Sequence, residues 1–254
     1  MCGIAGILGF SGQRVDRVAV ARMTAAMASR GPDGEGHWQS DDGRLSLGHR
    51  RLSIIDLNSR SDQPLHSHDG RYSIVFNGEI YNYRELRRSL EVKGSIFQTK
   101  SDTEVILELL RVRGRTMLSD LRGMFALAIW DNVERKLILA RDPYGIKPLY
   151  YALSAQEIRF ASQVKALVAG GVVGSPDPAA VVGLHLFGSI PEPYTYLDTV
   201  RCLPAGHYLE LSERGNAKLK PYSLVAEIIQ SEVCEDLSSL KHHAQVHEAL
   251  LDSV

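Results

Sequence analysis

Cys2 directly follows the initiator methionine. Cysteine is small enough for Met1 to be trimmed, which would leave a thiol and a free α-amine on one residue. The amine titrates at about 7.7–8.0 and the thiol at about 8.5, so a nucleophile and a base would stand together near neutrality. Position alone does not separate this reading from a buried cysteine in a first strand. Other candidates carry less. His243 and His247 stand four apart, with His242 beside them, but no acidic or cysteine partner stands out nearby, and a solvated helix face explains them. His66 and His68 flank a turn. Gly3, Gly6 and Gly9 do not open a helix as a dinucleotide fingerprint requires. The cysteines, Cys2, Cys202 and Cys234, are odd in number and form no C-x-x-C pair, which argues against a disulfide framework or a thiolate zinc site.

The elements that must position Cys2 follow from periodicity. Ile4–Phe10 fits a short buried strand. Val15, Val18, Ala19, Met23, Ala26 and Met27 recur at helical spacing, which predicts a helix ending near Gly31-Pro32. Strands are expected at 36–39, 44–50 and 72–76, the last running into Asn77-Gly78, a strong turn signal. Asn82-x-x-Glu85 and Ser101-x-x-Glu104 resemble capping boxes ahead of two helices, with Gly94 and Gly114 at their ends. Strands are expected at 124–130, 136–140, 149–152 and 158–161, and short helices at 163–169 and 179–187. A hairpin over 207–220 follows. Strands interleaved with a few helices, without strict βαβ alternation, predict an α+β sandwich. From Glu235 onward Leu237, Leu240, Ala244 and Leu251 recur at helical spacing. That helix carries no stop signal, as if leading into a further domain.

The 254 residues suit one large domain, or one domain and a stub. The 29 basic and 30 acidic residues give a net charge of -1, and 44% are hydrophobic. This composition is globular and has no general pull on nucleic acid or an anionic membrane. The apolar stretch Met124–Trp130 is far too short to span a bilayer. The N-terminus lacks the basic start of a signal peptide, so a reduced, cytoplasmic protein is expected.

Motifs then accumulate in order: Met1-Cys2-Gly3-Ile4-Ala5-Gly6, Arg30-Gly31-Pro32-Asp33, the segment from His49-Arg50-Arg51-Leu52 to Asp56, and Gln63-Pro64-Leu65. Phe76-Asn77-Gly78-Glu79, Ser101-Asp102-Thr103-Glu104, Gly123-Met124-Phe125-Ala126, Arg141-Asp142-Pro143-Tyr144-Gly145 and Leu203-Pro204-Ala205-Gly206 follow. The series resembles class II glutamine amidotransferases, the N-terminal-nucleophile glutaminases, and its branch resembles glutamine-hydrolysing asparagine synthetase. The resemblance implies a four-layer αββα fold, with residues 2–212 as the glutaminase domain and 213–254 as a linker and the first helix of a synthetase domain.

The same resemblance implies the roles. Cys2 attacks the side-chain amide of L-glutamine and forms a thioester, with ammonia leaving. Asn77 and Gly78 stabilise the oxyanion. Arg51 grips the α-carboxylate, Asp102 the α-ammonium, Glu79 adds a polar contact, and Leu52 and Ile54 line the pocket. Arg30 lies near the site, with a structural role equally open. No metal or cofactor serves this reaction. ATP and magnesium belong to a synthetase domain, whose Ser-Gly-Gly-x-Asp-Ser loop is absent from these residues. That domain, in cis or trans, is the expected partner; a homodimer is a further assembly open to the chain. The ammonia is destined for aspartate or another acceptor. A catalytically silent domain of the same fold, used for binding or assembly, is the competing reading if Met1 stays. Ser29 and Gln163 depart from the family's usual histidine and glutamate.

Overall fold

A computed structural model describes residues 1–53, 55–56, 58–223, 225 and 240–252. Cys234 and the helix start expected at Glu235 lie outside these residues, as do the side chains of His242 and His243. Residues 1–223 form one compact unit and 224–254 a second, of which the helix α6 (Leu240–Asp252) is described.

The first unit is built on two six-stranded sheets. One contains β1 (Gly3–Gly9), β2 (Gly34–Gln39), β3 (Leu45–Arg51), β8 (Tyr150–Leu153), β9 (Glu157–Ala161) and β10 (Arg201–Cys202), in the order β10-β8-β9-β1-β3-β2. The other contains β4 (Leu65–His66), β5 (Tyr72–Ile80), β6 (Gly123–Asp131), β7 (Lys136–Arg141), β11 (His207–Ser212) and β12 (Ala217–Pro221), in the order β12-β11-β7-β6-β5-β4. Neighbouring strands are antiparallel throughout, with Ile4 opposite His49 and Asn77 opposite Ala126.

Side-chain alternation divides the core into three layers. Ile4 and Leu8 of β1, Leu47 of β3 and Val75 of β5 meet between the sheets. Ala5 and Ile7 face outward onto α1 (Arg17–Ala25) and α4 (Val164–Ala169). Ile74, Phe76 and Ile80 face outward onto α2 (Tyr83–Val92) and α3 (Asp102–Arg113). The result is the expected αββα sandwich, to which α5 (Pro178–Phe187) is appended.

Three local expectations are corrected. Asn77-Gly78 is not a turn: β5 runs through it to Ile80 in continuous register with β6, so cross-strand pairing overrides the dipeptide's local preference. A Cβ on Gly78 would lie 2.3 Å from the Met124 carbonyl oxygen, so glycine is needed here for close approach and not for a bend. The first helix stops at Ala25, and a separate 3-10 turn covers Ala28–Arg30. The Asn82 side chain does not cap α2; it donates to the Asp120 carbonyl at 2.9 Å and accepts from the Arg122 N–H at 3.0 Å.

Candidate active site

Cys2 sits at the mouth of β1, and alternation places it on the same face as Ile4, toward the second sheet. Its thiol donates to the Leu52 carbonyl at 3.6 Å, and the Leu52 N–H lies 3.4 Å from Sγ. Burial pushes the thiol above its ordinary range, and the Leu52 N–H opposes that shift by favouring the thiolate. Arg30 Nε donates to the Cys2 carbonyl at 2.8 Å, so its bond holds the backbone at the N-terminus and not the sulfur. The chain reaches that position because Gly31 packs on β3, where a Cβ would lie 2.3 Å from the Arg50 carbonyl carbon.

Cys2 opens into a pocket of about 220 Å³. That is below the roughly 300–1,000 Å³ of drug-sized sites and suits a small metabolite. Arg51, Leu52, Asn77, Gly78, Glu79 and Asp102 all line it. Six of the residues singled out in the sequence therefore converge on the thiol. Ile54 lies outside the described residues.

Asn77 is 1% exposed, yet neither Nδ2 nor Oδ1 finds a hydrogen-bond partner among the described residues. A buried primary amide left unsatisfied costs about 1–3 kcal/mol and marks a place where a ligand atom belongs. The N–H of Gly78 is presented beside it. Along β5 the N–H groups of residues 76, 78 and 80 point to one edge. The first donates to Gln63 Oε1 at 2.6 Å and the third to Asp102 Oδ2 at 3.1 Å. The Gly78 N–H stands between them, beyond β4, whose pairing with β5 is confined to Ile74 and Ser73.

Asp102 opens α3 and is 4% exposed. Burial pushes its carboxyl up to about 6, against bonds from the Ile80 and Thr103 N–H groups, and the Glu79 charge pushes the same way. A buried carboxylate held this high gains from a cationic group entering the pocket. Arg51 presents its guanidinium to the pocket, but the fork is partly engaged by the Asp62 carboxylate and the Asp56 and Asn58 carbonyls.

Sequence reasoning did not give roles to Gln63, Lys147 or Asp142. The buried Asp142 carboxylate accepts from the N–H groups of Phe125, Tyr144, Ile146 and Lys147 at 2.9–3.2 Å, which brings Lys147 to the pocket wall. Gln63 and Asp142 lie inside motifs quoted above and Lys147 two residues beyond one, so the signal was present without an assigned function. Among the described residues no group of three or more His, Cys, Asp or Glu side chains is arranged to hold a metal. No helix among them is long and apolar enough to cross a membrane.

Residues 1–223 match the glutamine amidotransferase domain family. The chain belongs to that family. It is 38% identical over 257 residues to glutamine-hydrolysing asparagine synthetase 1 of Bacillus subtilis, covering 100% of this chain and 39% of that protein. It is 36% identical over 227 residues to asparagine synthetase 2 of the same organism, covering 86% and 30%. Among solved structures, the glutamine phosphoribosylpyrophosphate amidotransferase of B. subtilis, complexed with ADP and GMP, superposes with a TM-score of 0.67 at 25% identity, over 87% of this chain and 49% of that one. The chain thus spans about two-fifths of the length of asparagine synthetase 1, and its homologues are named as enzymes, which does not favour a silent domain.

Proposed function

We propose that the domain hydrolyses L-glutamine to glutamate and ammonia at Cys2. The observation that carries this reading is the buried, unsatisfied amide of Asn77 in the same pocket as the thiol. Removal of Met1 frees the Cys2 α-amine, which takes the thiol proton as sulfur attacks the side-chain carbonyl carbon. The oxyanion accepts hydrogen bonds from Asn77 Nδ2 and the Gly78 N–H. Preorganised donors of this kind are worth about 2.7–4 kcal/mol each. The proton passes to the leaving nitrogen, ammonia departs, and water hydrolyses the thioester. Asp102 receives the substrate ammonium, with Glu79 as a further polar contact. The substrate carboxylate competes with Asp62 for Arg51, and Leu52 closes the wall. None of these steps calls on a metal or cofactor.

The relatives' names, glutamine-hydrolysing asparagine synthetase, support asparagine synthesis as the use of the ammonia; the proposal assigns that step to a synthetase domain, in cis or trans, that amidates aspartate with ATP and magnesium. A nucleophilic thiol of this kind suits a reducing compartment such as the cytoplasm. The test is glutamate release from glutamine by the wild-type chain and by Cys2→Ala, with the N-terminus of each read by intact mass. Loss of Met1 and a drop in kcat of about 10⁴-fold or more are expected. Unchanged turnover in Cys2→Ala refutes the assignment.

A further inference from the structure

The tip of Asn77 has no bond among the described residues to hold it, so its aim must come from the backbone beneath it. That backbone is gripped in an unusual way. β4 covers β5 as far as Ile74, and beyond it the edge is held by side chains instead of a strand. The Phe76 N–H donates to Gln63 Oε1 at 2.6 Å, and the Phe76 carbonyl lies 3.2 Å from His49 Nε2. That carbonyl shares its peptide plane with the nitrogen of Asn77. Gln63 and His49 are 8% and 1% exposed, so neither bond competes with solvent. A carbonyl only accepts, so Nε2 carries the proton. Gln63 Nε2 also donates to Thr103 Oγ1 at 3.4 Å, which links the strand to the residue next to Asp102. We propose that His49 and Gln63 are positioning residues that clamp the Phe76 backbone from its two polar atoms and thereby set the aim of the Asn77 and Gly78 donors. The proposal rests on the oxyanion reading of Asn77 given above.

The clamp acts on the rate of the chemical step more than on substrate binding, because the oxyanion exists only after attack. His49→Leu and Gln63→Leu are each expected to lower kcat for glutamine about ten- to a hundredfold, the scale of an error in placement of about 1 Å. KM should stay within about twofold. His49→Gln, whose terminal amide can donate to the same carbonyl, recovers most of the loss. The double variant His49→Leu/Gln63→Leu is no slower than the worse single one by more than about threefold, since both act on one unit. Alkylation of Cys2 by iodoacetamide keeps its wild-type rate in each.

Wild-type kcat in either leucine variant overturns the proposal. So does a loss confined to KM, no recovery in His49→Gln, or alkylation slowed in step with turnover. Should His49→Leu not fold, Gln63→Leu and His49→Gln decide by the same criteria: lost kcat in the first and near-normal kcat in the second support the clamp, and any other pairing refutes it. Cys2→Ala and Asn77→Ala run alongside. If they retain turnover, the parent reading has failed; if they lose it while the His49 and Gln63 variants do not, the clamp alone has failed.

Discussion

Two thiols in the first unit invite comparison. Cys202, in β10, is 3% exposed and accepts from the Arg141 guanidinium at 3.1 Å. Its pKa is nevertheless pushed up to about 12, because burial outweighs the cation and Glu192, paired with that same arginine, adds to the rise. Cys2 is half-buried and, among the described residues, its sulfur takes no hydrogen bond from a cationic side chain, the Arg30 contact being to its carbonyl, but it faces a pocket and receives a backbone N–H from Leu52. A contact with arginine therefore does not make a nucleophile. Both sulfurs receive a backbone N–H, Cys202 from Leu149 and Cys2 from Leu52, so it is access and an empty space for the substrate that set Cys2 apart.

That contrast can be broken at several points. The widest separation is in turnover: Cys202→Ala leaves glutaminase kcat within about twofold, against the loss of about 10⁴-fold or more in Cys2→Ala, both read by glutamate release. Asn77→Ala, which leaves both thiols in place, lowers kcat about 10²–10³-fold with KM little changed; a change in KM alone would mean that the amide binds the ground state. Iodoacetamide on the folded chain modifies Cys2 at least about a hundredfold faster than Cys202, as mapped by peptide mass spectrometry, and comparable rates would erase the distinction.

Asp102→Asn gives the smallest and most informative effect. Losing a charge-assisted bond to the substrate ammonium raises KM about tenfold or more. Stability moves the other way. Burial holds the Asp102 carboxyl at about 6 against an ordinary 3.8, so the folded state keeps its proton longer than the unfolded one. The stability present below about pH 4 is lost as pH rises through 6, by about 3 kcal/mol in all. Asp102→Asn is therefore expected to be more stable than wild type at pH 7 and equal to it near pH 3, as measured by urea unfolding. A variant less stable at pH 7 would contradict the burial argument.

Much of this site was legible from residue types in order. Cys2, Asn77, Gly78, Arg51 and Asp102 lie far apart along the chain, yet the motifs that contain them named the residues that line one pocket. Local signals failed where a distant partner decided the outcome. Asn77-Gly78 reads as a turn until β6 is laid beside it, and Asn82 reads as a cap until Asp120 and Arg122 claim its amide. The motif gives Arg51 the grip on the substrate carboxylate, whereas its engagement by Asp62 depends on how the following loop folds back. Gln63 and His49 were visible as letters, but their task depends on β4 beginning only at Leu65, after Pro64, so that it leaves the Phe76 edge uncovered, and on His49 reaching that edge from the other sheet.

The Gly78 donor belongs to the main chain. An alanine scan of the pocket would delete Cys2, Asn77, Arg51 and Asp102 one at a time and leave this amide hydrogen in every variant, so a residual rate common to all of them would trace back to it. It could be removed without moving the strand only by semisynthesis, with an ester linkage in place of the Asn77–Gly78 amide. In that sense a donor that the pocket presents is set by where a neighbouring strand leaves an edge uncovered and not by the choice of any side chain in the cavity.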